Sequence, residues 1–196
     1  GGSCQIFCVM AGESIDEGSL KMKRKAGKYA AVLLAALMLT GCGSNLLEEG
    51  TALLEEGNYE EAASTFQEAV DEDSQDPEGW RGLGLARWEQ QDYEGALEAF
   101  QSVLDNGGEK TGELYNLMGC CAMQLGKPTE ALNYFRLGME AEDVSDEMMQ
   151  EMRFNEIAAY EQSGDMESAK SKLKDYTADY PDDEKAAKEA EFLETR

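Results

Sequence analysis

The sequence has no histidine among its 196 residues, and this absence removes several kinds of active site. Histidine is the usual base beside a nucleophilic serine or cysteine, and it is also the commonest metal ligand. Carboxylates are plentiful, but the sequence sets none of them apart as an acid–base pair with a shifted pKa. We therefore predict a protein that is not an enzyme and needs no metal or other cofactor.

Basic residues are also scarce. From Gly43 to the end of the sequence there are 12 lysine and arginine residues against 38 aspartate and glutamate residues. Phosphate binding needs a basic surface, so this balance excludes nucleic acid as a partner. It also disfavours a protein that lies flat on an anionic membrane. Two readings of the acidity remain open: solvation of helix faces, and attraction of a basic partner.

Cysteines are few and badly spaced for a disulfide framework. After Cys42 only Cys120 and Cys121 remain, and they are adjacent. Such a pair cannot close long loops, so a packed core must hold the fold. We expect Cys121 to act as a small buried apolar group inside a helix rather than as a reactive thiol.

Two short stretches resemble ligand-binding loops but do not match the residue patterns that such loops require. "DEDSQD" (71–76) has Gln75 and Asp76 where a calcium loop needs Asp or Asn and then Gly. "GLGLAR" (82–87) lacks the third glycine of a dinucleotide-binding loop. Neither stretch predicts a ligand site.

Long hydrophobic runs are missing too, since the uncharged run from Tyr29 to Leu39 is too short to span a membrane, which takes about 20 residues. The basic segment "KMKRKAGK" (21–28) precedes it and small residues follow. This order is typical of a secretory signal peptide. The alternative, a buried core helix, would show polar positions at helical spacing.

The end of this run, Leu39-Thr40-Gly41-Cys42, resembles the lipobox of bacterial lipoproteins. The resemblance implies a signal peptide over 22–41, cleavage before Cys42, and a diacylglyceryl group on Cys42, whose two chains suffice for stable anchoring. Residues 42–45 would then be the lipidated N-terminus and a short tether. We expect a protein anchored by lipid to the cell membrane or envelope on its extracytoplasmic side. Residues 1–21 would lie upstream of a start at Met22.

The rest of the chain is repetitive. "GNYEEAASTFQEAV" (57–70) aligns with "QDYEGALEAFQSVL" (91–104), 34 residues later. "GKPTEALNYFRLGM" (126–139) follows after 35 residues and "GDMESAKSKLKDYT" (164–177) after 38. A second pattern precedes each of them, with Trp80, Leu83 and Gly84 in the second unit and Tyr115, Met118 and Gly119 in the third.

These residues resemble the tetratricopeptide repeat, whose pattern is W-x2-L-G-x2-Y, then A-x3-F, then P, with a period of 34. The resemblance covers about 43–181, with Arg87 in the tyrosine position of the second unit. It implies an all-α, right-handed solenoid of about four helix pairs. We predict an array over 46–181, with pairs at about 43–76, 77–111, 112–149 and 150–181, and a capping helix over 182–196.

The repeat also predicts the packing. Small residues, including Gly50, Gly84 and Gly119, are expected where paired helices approach closely. The phenylalanines at 66, 100 and 135 are expected to fill the gap to the next pair. Glycine at the turns can take the left-handed conformation that ends a helix.

The resemblance further implies a concave groove lined by the first helix of each pair, in which an extended peptide or a helix lies. The predicted groove residues are Arg81, Leu85, Trp88, Asn116, Cys120, Met123, Phe154, Ala158 and Glu161. Trp88 is expected to be an exposed binding hot spot; the alternative is that it packs on the first pair. The acidity would favour a protein or peptide partner with basic residues near an apolar anchor.

The sequence thus predicts a membrane-anchored scaffold for protein–protein interaction. The alternative is a structural or assembly subunit of an envelope complex that uses its convex face or its ends.

Overall fold

The computed structural model describes residues 42–142 and 144–194. The predicted signal peptide (22–41) and upstream extension (1–21) lie outside the described residues. The described part contains only helices, as predicted. They are α1 (Cys42–Glu55), α2 (Tyr59–Glu72), α3 (Pro77–Glu89), α4 (Tyr93–Asp105), α5 (Gly112–Gln124), α6 (Pro128–Met139), α7 (Asp146–Ser163), α8 (Met166–Asp179) and α9 (Glu184–Glu194).

Each helix packs on the next one in the chain, and the first helices of neighbouring pairs also touch, α1 against α3 and α5 against α7. The structure is therefore a helical repeat of four pairs, α1–α2 to α7–α8, followed by α9. The pairs bury their apolar faces only against each other, so the core is a continuous seam along the array.

The turn inside each pair has one geometry in all four copies. The backbone N–H of the residue immediately before the second helix donates to the carbonyl five residues back, for example Asn58 to Leu53 at 2.8 Å. This bond belongs to a helix end with a left-handed residue after it. Gly57, Gly126 and Gly164 hold that position with φ between 69° and 83°, whereas the second pair places Gln91 there at φ 61°.

Helix starts follow from capping residues that the loops supply. Side-chain oxygens of Asp76, Thr111 and Ser145 accept from backbone N–H groups in the first turns of α3, α5 and α7. Pro77 and Pro128 occupy first-turn positions, where a missing N–H costs nothing. Helices α3 and α5 therefore begin at equivalent points, seven residues before Gly84 and Gly119, whereas α7 begins about one turn earlier relative to Ile157.

The closest packing inside each of the first three pairs sets a phenylalanine ring on a glycine of the partner helix. A Cβ on Gly84 would lie 2.5 Å from Phe100, and a Cβ on Gly119 would lie 2.4 Å from Phe135. Phe66 likewise lies 2.8 Å from such an atom on Gly50. The predicted close approach is present, but these rings pack within their own pair as well as toward the next.

The fourth pair exchanges the sizes at this contact. Ile157 stands in the glycine position and Leu173 in the phenylalanine position, and both are buried in one cluster. A larger residue on one helix is thus matched by a smaller one on the other, which offsets most of the added volume. The same cluster contains Tyr176, where Gly138 stands one pair earlier.

The last helix is held by Tyr176 and by apolar contacts. The Tyr176 hydroxyl donates to Asp183 Oδ2 at 2.7 Å and accepts from Gln150 Nε2 at 3.0 Å. The other oxygen of Asp183 accepts from the backbone N–H groups of Lys185 and Ala186, the start of α9. A helix over Glu184–Glu194 thus lies within the predicted capping segment.

Two predicted boundaries differ from the structure. Helix α1 reaches back to Cys42, so residues 42–45 are helical rather than a separate tether. Nothing in this stretch prevents helix formation, since Gly43 costs only about 1 kcal/mol. Helix α7 begins at Asp146, upstream of the predicted boundary after residue 149, because Ser145 caps it.

The left-handed backbone conformation of Gln91 predicts local strain. Replacing Gln91 by glycine should raise the free energy of unfolding by about 0.5–1 kcal/mol, because a left-handed residue with a side chain is disfavoured. The reverse change, Gly126→Gln, should lower it by a similar amount, since the space there is open and only backbone conformation is tested. Urea denaturation followed by circular dichroism measures both. Equal stability of Gln91→Gly and wild type would contradict the proposed strain.

The ring-on-glycine contact predicts strong coupling. Phe100→Ala should cost about 3–5 kcal/mol, the usual range for a buried phenylalanine, and Gly84→Ile should also destabilise by overpacking. The double variant Gly84→Ile/Phe100→Leu copies the fourth pair. It should be more stable than the sum of its single changes by about 1 kcal/mol or more. Additive losses in urea denaturation would show that the two positions do not share one packing site.

Candidate functional site

The candidate site lies where the first helices α3, α5 and α7 run side by side. On α3, three predicted groove residues are partly buried: Arg81, Leu85 and Trp88. The Arg81 Nε atom lies 3.5 Å from a carboxylate oxygen of Glu78, one turn earlier. This pair is partly exposed, so it contributes little to stability and leaves Arg81 able to exchange partners.

Trp88 is not the exposed indole that the sequence predicted. It packs edge-to-face on Tyr93, with ring centroids 5.2 Å apart. It also contacts the apolar clusters that contain Cys120 and Met123 of the third pair and Phe100 of its own pair. The alternative prediction was that Trp88 packs on the first pair, whereas in the structure it packs against the second and third pairs. Most of its apolar surface therefore serves packing.

The predicted residues on α5 and most of those on α7 are buried. Asn116, Cys120, Met123, Phe154 and Ala158 are each less than a tenth exposed, and Glu161 is partly buried. The structure brings the α5 residues and Ala158 together, because Cys120, Met123 and Ala158 share one cluster. Phe154 instead packs edge-to-face on Tyr176 in the fourth pair's cluster, with centroids 5.5 Å apart.

A chain of polar side chains crosses this apolar seam. Asn116 Nδ2 donates to Glu151 Oε1 at 2.8 Å. Asn155 Nδ2 donates to Asn116 Oδ1 at 3.3 Å and approaches the sulfur of Cys120 at 3.7 Å. Asn155 is fully buried, and its Oδ1 has no hydrogen-bond partner. Buried polar atoms are nearly always paired, so this oxygen is an exception, and its full burial closes it to solvent.

Glu151 and Asn155 were not predicted from the sequence. The repeat alignment gives no clear signal for Asn155, which stands where Glu48, Gly82 and Leu117 stand in the first three pairs. Glu151 carries no signal either, since exposed glutamates are common along every helix of the chain.

Among the hydrogen-bonded side chains of Asn116, Glu151 and Asn155, Glu151 supplies the carboxylate, and it is partly buried. Burial raises the pKa of its carboxyl group, while the hydrogen bond from Asn116 opposes the rise. Arg153, two residues later, does not neutralise it: its guanidinium contacts Asp179 at 2.8 Å and lies over the rings of Tyr176 and Tyr180.

A second polar recess lies between α6, α7 and α8 and has a volume of about 160 Å³. It is lined by Met139, Arg153, Glu156, Lys172 and Asp175. Lys172 Nζ contacts both oxygens of Glu156 at 3.0 Å. The charges here compensate each other, so this recess shows no demand for a ligand.

The structure also bears on thiol reactivity at Cys121, one of the two adjacent cysteines. Cys121 is fully buried, and burial raises the pKa of its thiol to about 12. It stays protonated at neutral pH and packs where Ala86 and Ala159 pack in neighbouring pairs. Among the described residues, no group of three or more potential ligands could hold a metal ion.

Comparison with known proteins bears on the repeat. A tetratricopeptide-repeat family model matches residues 47–110, and a second model of this repeat matches residues 112–143. Residues 47–110 and 112–143 are thus similar to tetratricopeptide repeats. The fourth pair, with its exchanged side-chain sizes, lies outside the matched segments. A search of curated proteins found no match.

Solved structures share the helical-repeat fold. YrrB, described as a TPR protein with an unusual peptide-binding site, is 22% identical with a TM-score of 0.64, and the match covers 78% of this chain and 82% of YrrB. MamA 41-end from Desulfovibrio magneticus RS-1 is 19% identical with a TM-score of 0.69, covering 80% of this chain and 86% of MamA.

The first TPR of Spaghetti (RPAP3), solved with an HSP90 peptide, is 21% identical with a TM-score of 0.54. That match covers 59% of this chain and 91% of the RPAP3 chain. At these identities the likeness establishes the helical-repeat fold and no more.

Proposed function

We propose that the protein is a scaffold that binds a polypeptide partner along the face formed by α3, α5 and α7. The observation that carries the proposal is that Arg81 and Leu85 keep exposed surface on α3, beside the buried groove residues of α5 and α7. An extended peptide offers apolar side chains and backbone carbonyls, which suit a face that presents Leu85 and the Arg81 guanidinium. YrrB and RPAP3 support the proposal as peptide-binding relatives in fold.

The partner is expected to carry basic residues. Over residues 42–139, which form the first three pairs, the chain has 5 basic residues against 20 acidic ones, and residues 140–196 have 7 against 18. Negative charge therefore predominates along the whole array. A basic polypeptide would be steered toward it, and its binding should weaken as salt screens the attraction.

Leu85 gives the cleanest test of this face. It is partly buried at the edge of its cluster, so Leu85→Lys can keep its aliphatic stem packed while placing a cation on the face. Truncation of Trp88 is less informative because that ring packs against two clusters. We expect Leu85→Lys to reduce capture of the partner from envelope extract by about tenfold or more, the scale of one hot-spot residue.

The matched control is Gln101→Lys, which adds the same charge on an exposed position of α4. It should leave capture unchanged, with both variants melting close to wild type by circular dichroism. Wild-type capture by folded Leu85→Lys would move the site to the convex face or to an end of the array. The protein would then be better described as an assembly subunit.

We further propose that the chain is exported and anchored by lipid on Cys42. The support is the order of basic, apolar and small residues before "LTGC" (39–42). Cys42 begins α1 in the structure, so a lipid there would place the array next to the bilayer. No helix within the described ranges is long and apolar enough to cross a membrane.

Cys42→Ala should prevent lipidation. We expect the wild-type protein, expressed in a bacterium, to incorporate radiolabelled palmitate and to sediment with membranes. The variant should incorporate none and should accumulate uncleaved at this site. Incorporation of label into Cys42→Ala, or recovery of wild type as a freely soluble protein, would contradict the anchor.

A further inference from the structure

The linker from α4 to α5 (106–111) contains the chain's one asparagine that is followed by glycine. Asn106 precedes Gly107, whereas the other five asparagines precede leucine, tyrosine or glutamate. The backbone nitrogen that follows an asparagine can attack the side-chain carbonyl carbon and close a succinimide ring. Glycine obstructs this attack least, because it has no Cβ. The sequence therefore singles out Asn106 for this reaction.

Two hydrogen bonds hold the reacting atoms at the end of α4. Asn106 Nδ2, the leaving group, donates to Ser102 O at 2.8 Å, and the Gly107 N–H, the nucleophile, donates to Leu104 O at 3.1 Å. The ψ angle of Asn106 is 15°, so the Gly107 nitrogen lies on the same side as the backbone nitrogen of Asn106 and away from its Cβ. A succinimide ring needs that nitrogen beside Cβ. The folded helix end thus opposes the reaction.

The change that permits the reaction is local. Rotation about ψ of Asn106 would also release Gly108, whose N–H donates to Val103 O at 2.8 Å. These bonds all belong to one helix end, and helix ends open far more readily than the core. Gly107 is exposed, and the space around it is open. The fold should therefore slow the reaction without preventing it.

We propose that Asn106 is a self-modification site that converts to aspartate or isoaspartate, at a rate set by opening of the end of α4. Hydroxide removes the Gly107 amide proton, the nitrogen bonds to Asn106 Cγ, and the Cγ–Nδ2 bond breaks. The Nδ2 group leaves as ammonia after taking a proton from water, which restores the hydroxide. Water then opens the ring: hydrolysis at Cγ gives aspartate, and hydrolysis at the main-chain carbonyl gives isoaspartate. Water is consumed, and nothing is oxidised or reduced.

Both products change the junction between the second and third pairs. Each loses the amide donor to Ser102 O and places a carboxylate at the C-terminal end of a helix, where negative charge is unfavourable. Isoaspartate also lengthens the main chain by a methylene, two residues before Gly108. A Cβ on Gly108 would lie 2.5 Å from Val103 Cγ1 and 2.9 Å from Pro77 Cβ of α3. Gly108 is therefore closely packed, and a longer main chain displaces it.

The first experiment compares the full chain kept folded in mildly alkaline buffer with the same chain unfolded in guanidinium chloride. Trypsin releases residues 88–110 as one peptide, in which Asn106 is the one asparagine. Mass spectrometry measures the gain from exchange of NH2 for OH, and protein isoaspartyl methyltransferase labels the isoaspartate product. We expect both products in the folded chain, formed at a rate about tenfold below that of the unfolded chain.

Asn58 and Asn133 are matched internal controls, because they are exposed but precede tyrosine. They should remain unconverted over the same period. Equal conversion at these residues, or none at Asn106 while the unfolded chain reacts, would overturn the assigned site. Equal rates of the folded and unfolded chains would overturn the control by the helix end.

Two variants test what limits the rate. Gly108→Ala should speed the reaction of the folded chain about fivefold, because the added Cβ overpacks the contact with Val103 and Pro77. Glu109→Ala, at an exposed neighbouring position, should leave the rate unchanged. Each folded rate is divided by the unfolded rate of the same variant, so that effects of sequence alone cancel. An unchanged ratio in a folded Gly108→Ala would overturn the control by the helix end. The comparison on wild type needs no variant, so the proposal remains decidable if Gly108→Ala does not fold.

Discussion

Most of this structure depends on the contact between a phenylalanine ring and a glycine on the paired helix. Glycine inside a helix costs about 1 kcal/mol relative to alanine, yet α1, α3 and α5 each keep one at this contact. Burial of a phenylalanine side chain returns about 1.5–3 kcal/mol, and the ring can lie flat only where no Cβ stands. The contact thus determines how close the two helices of a pair come, and hence where the outward faces of α3, α5 and α7 lie.

The helix pairs could be predicted because their signals are local and repeated. A left-handed residue, a cap and a first-turn proline each act within a few residues of the chain, and the sequence shows them at a period of 34 to 38. The helix starts at Cys42 and Asp146 were missed for the same reason. The helix penalty of Gly43 and the cap supplied by Ser145 are small energetic effects. An alignment of repeats whose linkers differ in length does not show where such effects place a helix start.

The candidate site was less predictable. Register alone places nine residues on the first-helix face, but burial depends on how neighbouring helices stack. Trp88 illustrates the difference: its position is as expected, yet Tyr93 and the third pair cover much of its ring. The hydrogen bonds among Asn116, Glu151 and Asn155 join residues 35 to 39 positions apart, and no local pattern reports such a pairing. Asn155 stands in a column that also holds Glu48, Gly82 and Leu117, so the repeat alignment does not reveal that it is buried.

The exchange of sizes in the fourth pair bears on how such a protein can lengthen. Among the first three pairs, neighbouring units obey one packing rule, so a duplicated unit would find a compatible contact on either side. The fourth pair follows another rule: Ile157 and Leu173 replace glycine and phenylalanine, and Tyr176 fills the place of Gly138 and binds the start of α9. A copied internal unit placed after it would meet Tyr176 and α9 instead of a matching surface. Growth by duplication is therefore compatible with the first three pairs, whereas Tyr176 and α9 leave no matching surface directly after the fourth.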